Sequence, residues 1–262
     1  MMASHIFGLT AAAALVLAPS VIGDAPLTSR YRVDQTLTQE IDGTANGKGR
    51  QSLSFSTSGF LTLTLTDSTG GRVVKVVVDS MRGDSTSPVP AAVFDSARGA
   101  TYHAFLSTAG KFSELEPIST TTATQQVQGF LTDFFPWVKA GVKIGEKWAD
   151  TTSRATVVGT DTVVVERITT YEAAAKDKRG KDKVIRITSA YASTVNGSQP
   201  TPSGPAKLEG SGKGSGTYFV TPDGQYLGGD WELRSALNVS GAFADKPLPI
   251  TVSQTTKVTA LK

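Results

Sequence analysis

The chain has 262 residues, a length that suits one large β domain or two small ones. Its formal net charge is +3, and charges of both signs are spread along the chain, which gives no indication of the basic patch that nucleic-acid binding requires. The absence of cysteine excludes disulfides, thiolate metal ligands, a cysteine nucleophile and lipidation of an N-terminal cysteine.

The N-terminal region is typical of an export signal. Residues 9–22 form an apolar run that is shorter than the roughly 20 residues a membrane-spanning helix needs. We predict a signal peptide over residues 1–23, with cleavage after Gly23 or Ala25. Export places the mature chain in the periplasm or outside the cell, without a transmembrane span. Residues 1–8 contain no lysine or arginine, so an ordinary N-terminal core helix remains the alternative.

Alternation of apolar and polar side chains dominates the chain after residue 30 and predicts half-buried strands. The pattern is strongest in residues 31–41, 53–65, 227–239 and 248–258. Because one face of each predicted strand is apolar and the other is polar, the pattern indicates an antiparallel sheet with one solvated side.

Two valine runs, at residues 73–78 and 163–165, are apolar on both faces and predict central strands that are covered on both sides. The second run begins a predicted hairpin. In this hairpin a strand over residues 162–172 leads to a charged turn at 176–183, and a strand over 184–194 returns.

One helix is predicted from four apolar residues spaced i, i+3, i+4 and i+7, which fall on a single helical face. They are Val127, Phe130, Leu131 and Phe134. Threonines 120–122 supply an N-cap, and Pro136 ends the helix. Because a sheet must cover this face, we predict a mainly β fold in which a curved antiparallel sheet, an incomplete barrel, wraps around one short α-helix.

Residues 26–262 are predicted to form a single β-rich domain, since the final strands continue the same alternation. Residues 196–216 are rich in glycine, proline and serine and predict a long mobile loop. Within it, the run GSGKGSG at 210–216 lacks the residue order of a P-loop and precedes a strand rather than a helix, which argues against a phosphate site.

The sequence predicts neither an enzyme nor a cofactor. His103 is the one histidine outside the predicted signal, and metal sites built on histidine need at least two. The G-x-S-x-G and S-x-x-K motifs of hydrolases are absent. Asp230 and Glu232 lie two residues apart on one strand face, about 7 Å, as in a glycosidase pair. They flank Trp231 on the polar face, however, where we expect solvent.

Residues 130–148 (FLTDFFPWVKAGVKIGEKW) are the most distinctive segment, in which an apolar helix, a turn and a Gly145-x-x-Trp148 element follow one another. Together with DGQ at 223–225 and PITV at 249–252, this segment resembles bacterial extracytoplasmic β-rich proteins with the LolA-like lipoprotein-carrier fold. The resemblance implies an incomplete antiparallel barrel with a helix against its concave face. It also implies a site for acyl chains or other apolar ligands, without catalytic residues.

Two functions therefore remain open. The first is an exported, non-enzymatic binding or carrier module for an apolar, lipid-like ligand. The second is a structural or interaction protein of the cell envelope or surface, with a protein partner and no small-molecule ligand. For the first function, we predict a pocket lined by aromatic residues. They are Phe130, Phe134, Phe135, Trp137, Trp148 and Trp231.

Overall fold

The structure of the protein, a computed structural model, describes residues 25–109, 111–131, 134–135, 138, 141–158, 161–201, 204–241 and 244–261. The strands are β1 (Leu27–Asp42), β2 (Arg50–Ser68), β3 (Gly71–Gly83), β4 (Thr101–Ser107), β5 (Glu116–Pro117), β6 (Lys147–Val158), β7 (Asp161–Arg179), β8 (Asp182–Thr201), β9 (Gly204–Val220), β10 (Tyr226–Gly241) and β11 (Ala244–Leu261). Two short helices, α1 (Ala91–Ser96) and α2 (Thr122–Leu131), and a 3-10 turn at Thr44–Asn46 complete the described elements.

All the described strands belong to one antiparallel sheet in the order β5-β4-β3-β2-β1-β11-β10-β9-β8-β7-β6, and the sheet does not close into a barrel. The first and last strands lie side by side in its middle, where Arg30 pairs with Leu261 and Ile41 with Ile250. The predicted mainly β fold, an incomplete barrel with little helix, is confirmed; the described residues contain two short helices where one was predicted.

The alternation in the sequence places apolar side chains on one side of the sheet. We call this side the inner face; it carries Tyr31, Leu61 and Val74, which have no exposed surface. The opposite side, the outer face, carries residues such as Arg32, which is exposed. Burial of large apolar side chains, at about 25 cal/mol per Å² of surface removed from water, favours this arrangement over its inverse.

Helices and loops cover one end of the inner face. Helix α1 packs on β3, and α2 packs on α1 and β5. The chain after α2 crosses towards the other strands: the backbone N–H of Gly141 donates to the carbonyl of Pro222, and that of Gly145 donates to the carbonyl of Ala173. The sheet therefore has a covered half, which holds the hydrophobic core, and a less covered half, in which inner-face residues such as Leu53 are exposed.

Helix α2 begins as predicted but ends early. The hydroxyl oxygen of Thr121 accepts a hydrogen bond from the backbone N–H of Thr124 at 3.1 Å, so the cap lies within the predicted threonine run. The helix ends at Leu131, and Phe134 and Phe135 lie in the turn that follows. The prediction that the helical face reaches Phe134 is wrong, although both phenylalanines are buried.

The prediction that both valine runs are covered on both sides is wrong. In β3, Val74, Val76 and Val78 are fully buried on the inner face, whereas Val73 on the outer face is 36% exposed. In β7, Val165 is 37% exposed. Branched side chains favour extended backbone on either side of a sheet, so a valine run does not by itself require two covering layers.

Residues 196–201 and 204–216 do not form the predicted mobile loop. They belong to the hairpin of β8 and β9, in which Gly197 pairs with Leu208 and Thr201 with Gly204. The charged turn predicted at 176–183 is shorter than expected, because β7 extends to Arg179 and β8 begins at Asp182. Gly180 makes this tight turn with a φ of 61°, a conformation that glycine adopts without strain.

The predicted signal peptide, residues 1–23, lies outside the described residues. Within the described part of the chain, no helix has both the length and the apolar character needed to cross a membrane.

Candidate functional site

The boundary between the two halves of the inner face is a row of residues paired in register across eight strands. We call it the border row. It consists of Thr57, Gln35, Thr256, Trp231, Gly216, Ser189, Tyr171 and Trp148. We call the part of the inner face beyond this row the open half. Because the row is set by strand pairing, it brings together residues that are far apart in sequence.

A cavity of about 300 Å³ lies on the inner face at the border row. We call it the aromatic pocket. One wall is the segment 112–115, which contributes Phe112 and Leu115. The floor consists of apolar side chains from neighbouring strands and the turn after α2. They are Phe135, Tyr171, Tyr191, Tyr218, Trp231 and Leu233.

Ring contacts fix the floor of the aromatic pocket. Tyr218 lies between Trp231, with ring centroids 6.0 Å apart, and Tyr171, at 6.4 Å. Trp148 on β6 stacks on Tyr171 at 5.3 Å, with the two planes only 11° apart. Because each ring is held by its neighbours, the apolar surface is largely preformed, as small-molecule sites usually are.

Polar side chains also line the aromatic pocket. They include Asp150 on β6, Arg167 and Thr169 on β7, and Gln254 on β11. The guanidinium of Arg167 lies over the ring of Tyr191, 5.8 Å from its centroid, in cation–π geometry. The cavity is therefore amphipathic, with aromatic side chains and with polar side chains that can form hydrogen bonds.

Three of the predicted pocket residues lie at or beside this cavity. Phe135 and Trp231 line it. Trp148 does not line it but stacks on Tyr171, which does. Phe135 also contacts Tyr31 edge-on, with ring centroids 5.2 Å apart, and so connects the pocket to the core of the covered half.

The other three predicted residues lie elsewhere. Phe130 packs on Phe94 of α1, with ring centroids 6.2 Å apart, and so belongs to the contact between the helices. Phe134 is 1% exposed and belongs to the hydrophobic core. Trp137 lies outside the described residues.

Sequence reasoning missed Tyr171, Tyr191 and Tyr218. Tyr171 and Tyr191 lie in predicted strands, but the strand order that brings them together was not predicted. Tyr218 lies two residues after Gly216, beyond the end of a glycine-rich run that we interpreted as a loop. Four glycines of β9 face the inner side and form what we call the glycine strip. They are Gly210, Gly212, Gly214 and Gly216. Side chains along β9 do alternate with a period of two residues, but glycine occupies the inner-face positions that apolar residues occupy in the other strands.

The glycine strip shapes the site by close approach. A Cβ added at Gly214 would collide with the ring of Tyr191 and with the carbonyl oxygen of Glu232. A Cβ at Gly216 would come within 2.8 Å of the Cβ of Trp231. The absence of side chains on β9 thus lets those of β8 and β10 lean across it beside the pocket.

Asp230 and Glu232, the two carboxylates considered as a possible glycosidase pair, lie on the outer face of the sheet. Asp230 and Glu232 line a shallow groove of about 1050 Å³ together with Asp34, Arg82 and Lys257. The border-row side chains at the same level are buried, Thr256 to 2% exposure, so the groove lies on the outer face. Asp230 and Glu232 are exposed, as predicted for the polar face.

The groove carries no recognisable chemical centre. The carboxylate of Asp34 binds Arg32 at 2.9 Å. The carboxylate of Asp84 accepts hydrogen bonds from the Thr86 hydroxyl and from the backbone N–H of Ser56, and these lower the pKa of Asp84. Among the described residues, no three carboxylate or histidine side chains are grouped so as to hold a metal ion.

No protein-family model, no curated protein and no solved structure matches this chain. The resemblance to the LolA-like fold therefore remains a prediction from short motifs.

Proposed function

We propose that the protein is an exported, non-enzymatic binding or carrier module that holds an apolar, lipid-like ligand in the aromatic pocket. The observation that supports this most directly is the ring-lined cavity between the segment 112–115 and the inner face of β7 to β11. Its volume of about 300 Å³ falls at the lower end of the range for small-molecule sites, roughly 300–1,000 Å³.

The amphipathic lining favours a ligand with two kinds of surface. The apolar part lies against Tyr218, Trp231 and Leu233, where each CH₂ group removed from water contributes about 0.8 kcal/mol. The polar end lies towards Arg167 and Thr169, which supply donors for a carboxylate or hydroxyl group. The ligand class proposed is therefore an amphiphile such as a fatty acid, rather than a pure hydrocarbon.

The proposal does not include catalysis. The one carboxylate pair that the sequence suggested, Asp230 and Glu232, lies on the outer face, across the sheet from the aromatic pocket. Both side chains are exposed, whereas a glycosidase acid works from a site that raises its pKa by exclusion of water.

Extraction of the protein purified from its native host, followed by mass spectrometry of the organic phase, tests the proposal. We expect a co-purifying lipid in stoichiometric amount. In parallel, the delipidated protein is titrated with 1-anilinonaphthalene-8-sulfonate and then with oleate. Oleate should displace the dye and change the fluorescence of the buried Trp231. Recovery of no lipid, together with no dye uptake, would reject the proposal.

A pair of variants on β10 locates the site. Leu233 lines the aromatic pocket and is half-buried, so Leu233→Arg fills the cavity with a charged side chain and should weaken oleate binding by at least about tenfold. Ala236 is exposed on the outer face of the same strand, and Ala236→Arg should leave the affinity unchanged. Equal effects of the two substitutions would place the ligand elsewhere.

Export is tested separately from binding. Intact-mass analysis of the chain isolated from the extracytoplasmic fraction should show an N-terminus at Asp24 or Pro26, which corresponds to cleavage after Gly23 or Ala25. Accumulation of the full-length chain in the cytoplasm would contradict this part of the proposal without affecting the binding experiments.

A second candidate function, an interaction protein of the envelope, is favoured by the edge strand β6. In the described part of the chain β6 pairs only with β7, and its other edge presents unpaired backbone groups over Lys147–Val158. Such edges accept a strand from a partner. Cross-linking in intact cells should capture a protein at this edge if this function is correct, and a chain that stays uncrosslinked would exclude it.

A further inference from the structure

We infer that the hairpin tip between β7 and β8 docks the protein on a membrane surface that carries anionic phospholipids. We call this tip, residues 176–183, the basic finger. The inference goes beyond the proposed function, because it requires no occupant of the aromatic pocket. The choice of a lipid surface over a nucleic acid rests on the proposed export of the chain.

The basic finger carries the net charge of the chain. Of the 26 basic and 23 acidic residues in the sequence it contains five and two, so that the remaining 21 of each sign balance. All eight residues of the finger are exposed. A local excess of positive charge on an otherwise balanced protein produces a field that orients the molecule towards a negatively charged partner.

The basic finger extends beyond the strands on either side of it. Among the described residues, the pairing of β6 with β7 starts at Glu172 on one side, and the pairing of β8 with β9 stops at Ile185 on the other. The guanidinium of Arg179 lies over the ring of Phe219, 3.6 Å from its centroid, and this contact holds the tip in place. The finger is therefore a two-stranded projection that can reach a flat surface.

The lysines of the basic finger do not stabilise the hairpin that carries them. Lys178 and Lys183 lie directly opposite one another, an arrangement in which like charges repel. The carboxylate of Asp177 accepts a hydrogen bond from the backbone N–H of Lys178 at 2.8 Å. Within the part of the chain that the structure describes, none of the four lysines forms an ion pair. Their charge is therefore available to a partner.

An exposed aliphatic residue near the base of the basic finger favours a membrane over a soluble polyanion. The backbone N–H of Gly145 donates to the carbonyl oxygen of Ala173 at 2.8 Å, which attaches its segment to β7. Ile144 in this segment is 44% exposed, and Lys143 is exposed too. Ala173 precedes the finger by three residues, about 10 Å. An aliphatic side chain among cations suits the headgroup region of an anionic bilayer, whereas a soluble polyanion requires the cations alone.

The number of cations in the basic finger is sufficient for reversible docking. Each lysine or arginine near an anionic bilayer strengthens binding by about fivefold, and the effects multiply over the finger. Docking also holds the aromatic pocket near the bilayer, because Tyr171, which lines the pocket, precedes Lys176 by five residues on β7, about 17 Å. A lipid-like ligand would have a short path between the pocket and the membrane.

Co-sedimentation of the protein with lipid vesicles tests the inference. Vesicles of phosphatidylcholine with roughly 30% phosphatidylglycerol should bind the protein at least about tenfold more strongly than vesicles of phosphatidylcholine alone. The binding should weaken as the salt concentration rises from about 50 mM to about 500 mM. Equal binding to both kinds of vesicle, or binding to soluble heparin without binding to vesicles, would overturn the inference and leave the oleate titration of the aromatic pocket unaffected.

Two triple variants of equal net charge locate the binding surface. One neutralises three lysines of the basic finger by Lys178→Gln, Lys181→Gln and Lys183→Gln. The control neutralises three exposed lysines elsewhere by Lys48→Gln, Lys213→Gln and Lys257→Gln. The finger variant should bind anionic vesicles on the order of 100-fold more weakly, and the control less than about threefold more weakly. Arginine at the three finger positions should preserve binding. Equal losses in the two glutamine variants would overturn the inference.

Thermal denaturation of the finger variant distinguishes docking from a structural role. Because the variant removes the repulsion between Lys178 and Lys183, its midpoint should be no lower than that of the wild type. A lower midpoint would show that the lysines stabilise the fold, and would argue against a role in docking.

Ile144→Ser tests the aliphatic contact with the bilayer. The substitution should weaken binding to the anionic vesicles severalfold, because the serine side chain gains nothing from entering the headgroup region. Ile118, which is 65% exposed, follows β5 at the opposite edge of the sheet from β6, and Ile118→Ser should leave binding unchanged. Wild-type binding by Ile144→Ser, or an equal loss in Ile118→Ser, would contradict a membrane contact at the finger.

Discussion

The phenolic hydroxyl of Tyr31 in β1 donates a hydrogen bond of 2.8 Å to the backbone carbonyl oxygen of Tyr226 in β10, and the two rings stack with their centroids 5.6 Å apart. Strand β11 lies between these strands in the sheet, so the contact bridges over it. Burial raises the pKa of Tyr31 to about 12 and raises the pKa of Tyr226 well above its ordinary value. The fold therefore depends on these phenols remaining protonated.

Alkaline solution should unfold the protein between about pH 10 and pH 12. An unfolded tyrosine loses its proton near pH 10, whereas folded Tyr31 keeps its proton until about pH 12. In this window the unfolded state binds fewer protons than the folded state, so the free energy of unfolding falls as pH rises; below pH 10 the stabilisation is complete. Tyrosinate absorbance and circular dichroism, recorded together, should show the buried phenols titrating only as structure is lost. Titration of all six tyrosines near pH 10 in a folded chain would contradict this.

Gly214→Ala should destabilise the protein by about 1–3 kcal/mol, the usual cost of forcing extra atoms into a packed position. The new Cβ would collide with the ring of Tyr191 and the carbonyl oxygen of Glu232. Lys213→Ala, on the exposed outer face of the same strand, should change the free energy of unfolding by no more than about 0.5 kcal/mol. Urea denaturation of both variants checks the difference, and a neutral Gly214→Ala would show that Tyr191 can move away.

Phe134→Ala should cost about 3–5 kcal/mol of stability, because the side chain is fully buried among core residues and its removal leaves a cavity. Phe130→Ala should cost less, since Phe130 is only partly buried, against α1. Thermal or urea denaturation distinguishes the two variants. Equal losses of stability would show that Phe130 contributes as much to the core as Phe134 does, and would contradict this prediction.

Val74→Ala and Val73→Ala test which face of β3 is covered. Val74 is fully buried, and loss of two methyl groups there should cost about 2 kcal/mol. Val73, on the outer face, is 36% exposed, so its truncation should cost about 0.5 kcal/mol or less. A large loss at Val73 would indicate that the outer face is covered in solution.

The strands with clean alternation were predictable because their pattern reports burial directly. Residues 31–41 alternate in the sequence, and β1 buries Tyr31 and Val33 and exposes Arg32. The glycine strip was not predicted, because glycine has no side chain whose polarity can mark a face. The alternation from Gly210 through Gly216 to Tyr218 indicates a strand, but the glycine-rich composition of the segment favoured a loop.

The aromatic pocket was only partly predictable. Phe135 and Trp231 were identified as aromatic residues on apolar positions, and both line the cavity. The meeting of Trp231 with Tyr171 and Tyr191 depends on the order and register of the four strands β7 to β10, which alternation along a single strand does not encode. The end of α2 was predicted too late in the chain. The helical spacing of apolar residues continues to Phe134, whereas the helix ends at Leu131.

The pairing of β1 with β11 also constrains how the protein comes to be folded. Arg30 pairs with Leu261, so the centre of the sheet stays unfinished until almost the whole sequence has left the ribosome. Topologies dominated by such distant contacts fold in milliseconds to seconds rather than microseconds. During that delay the unpaired edges of β1 and β10 are exposed to other nascent chains, and a holding chaperone during synthesis would protect this protein from aggregation.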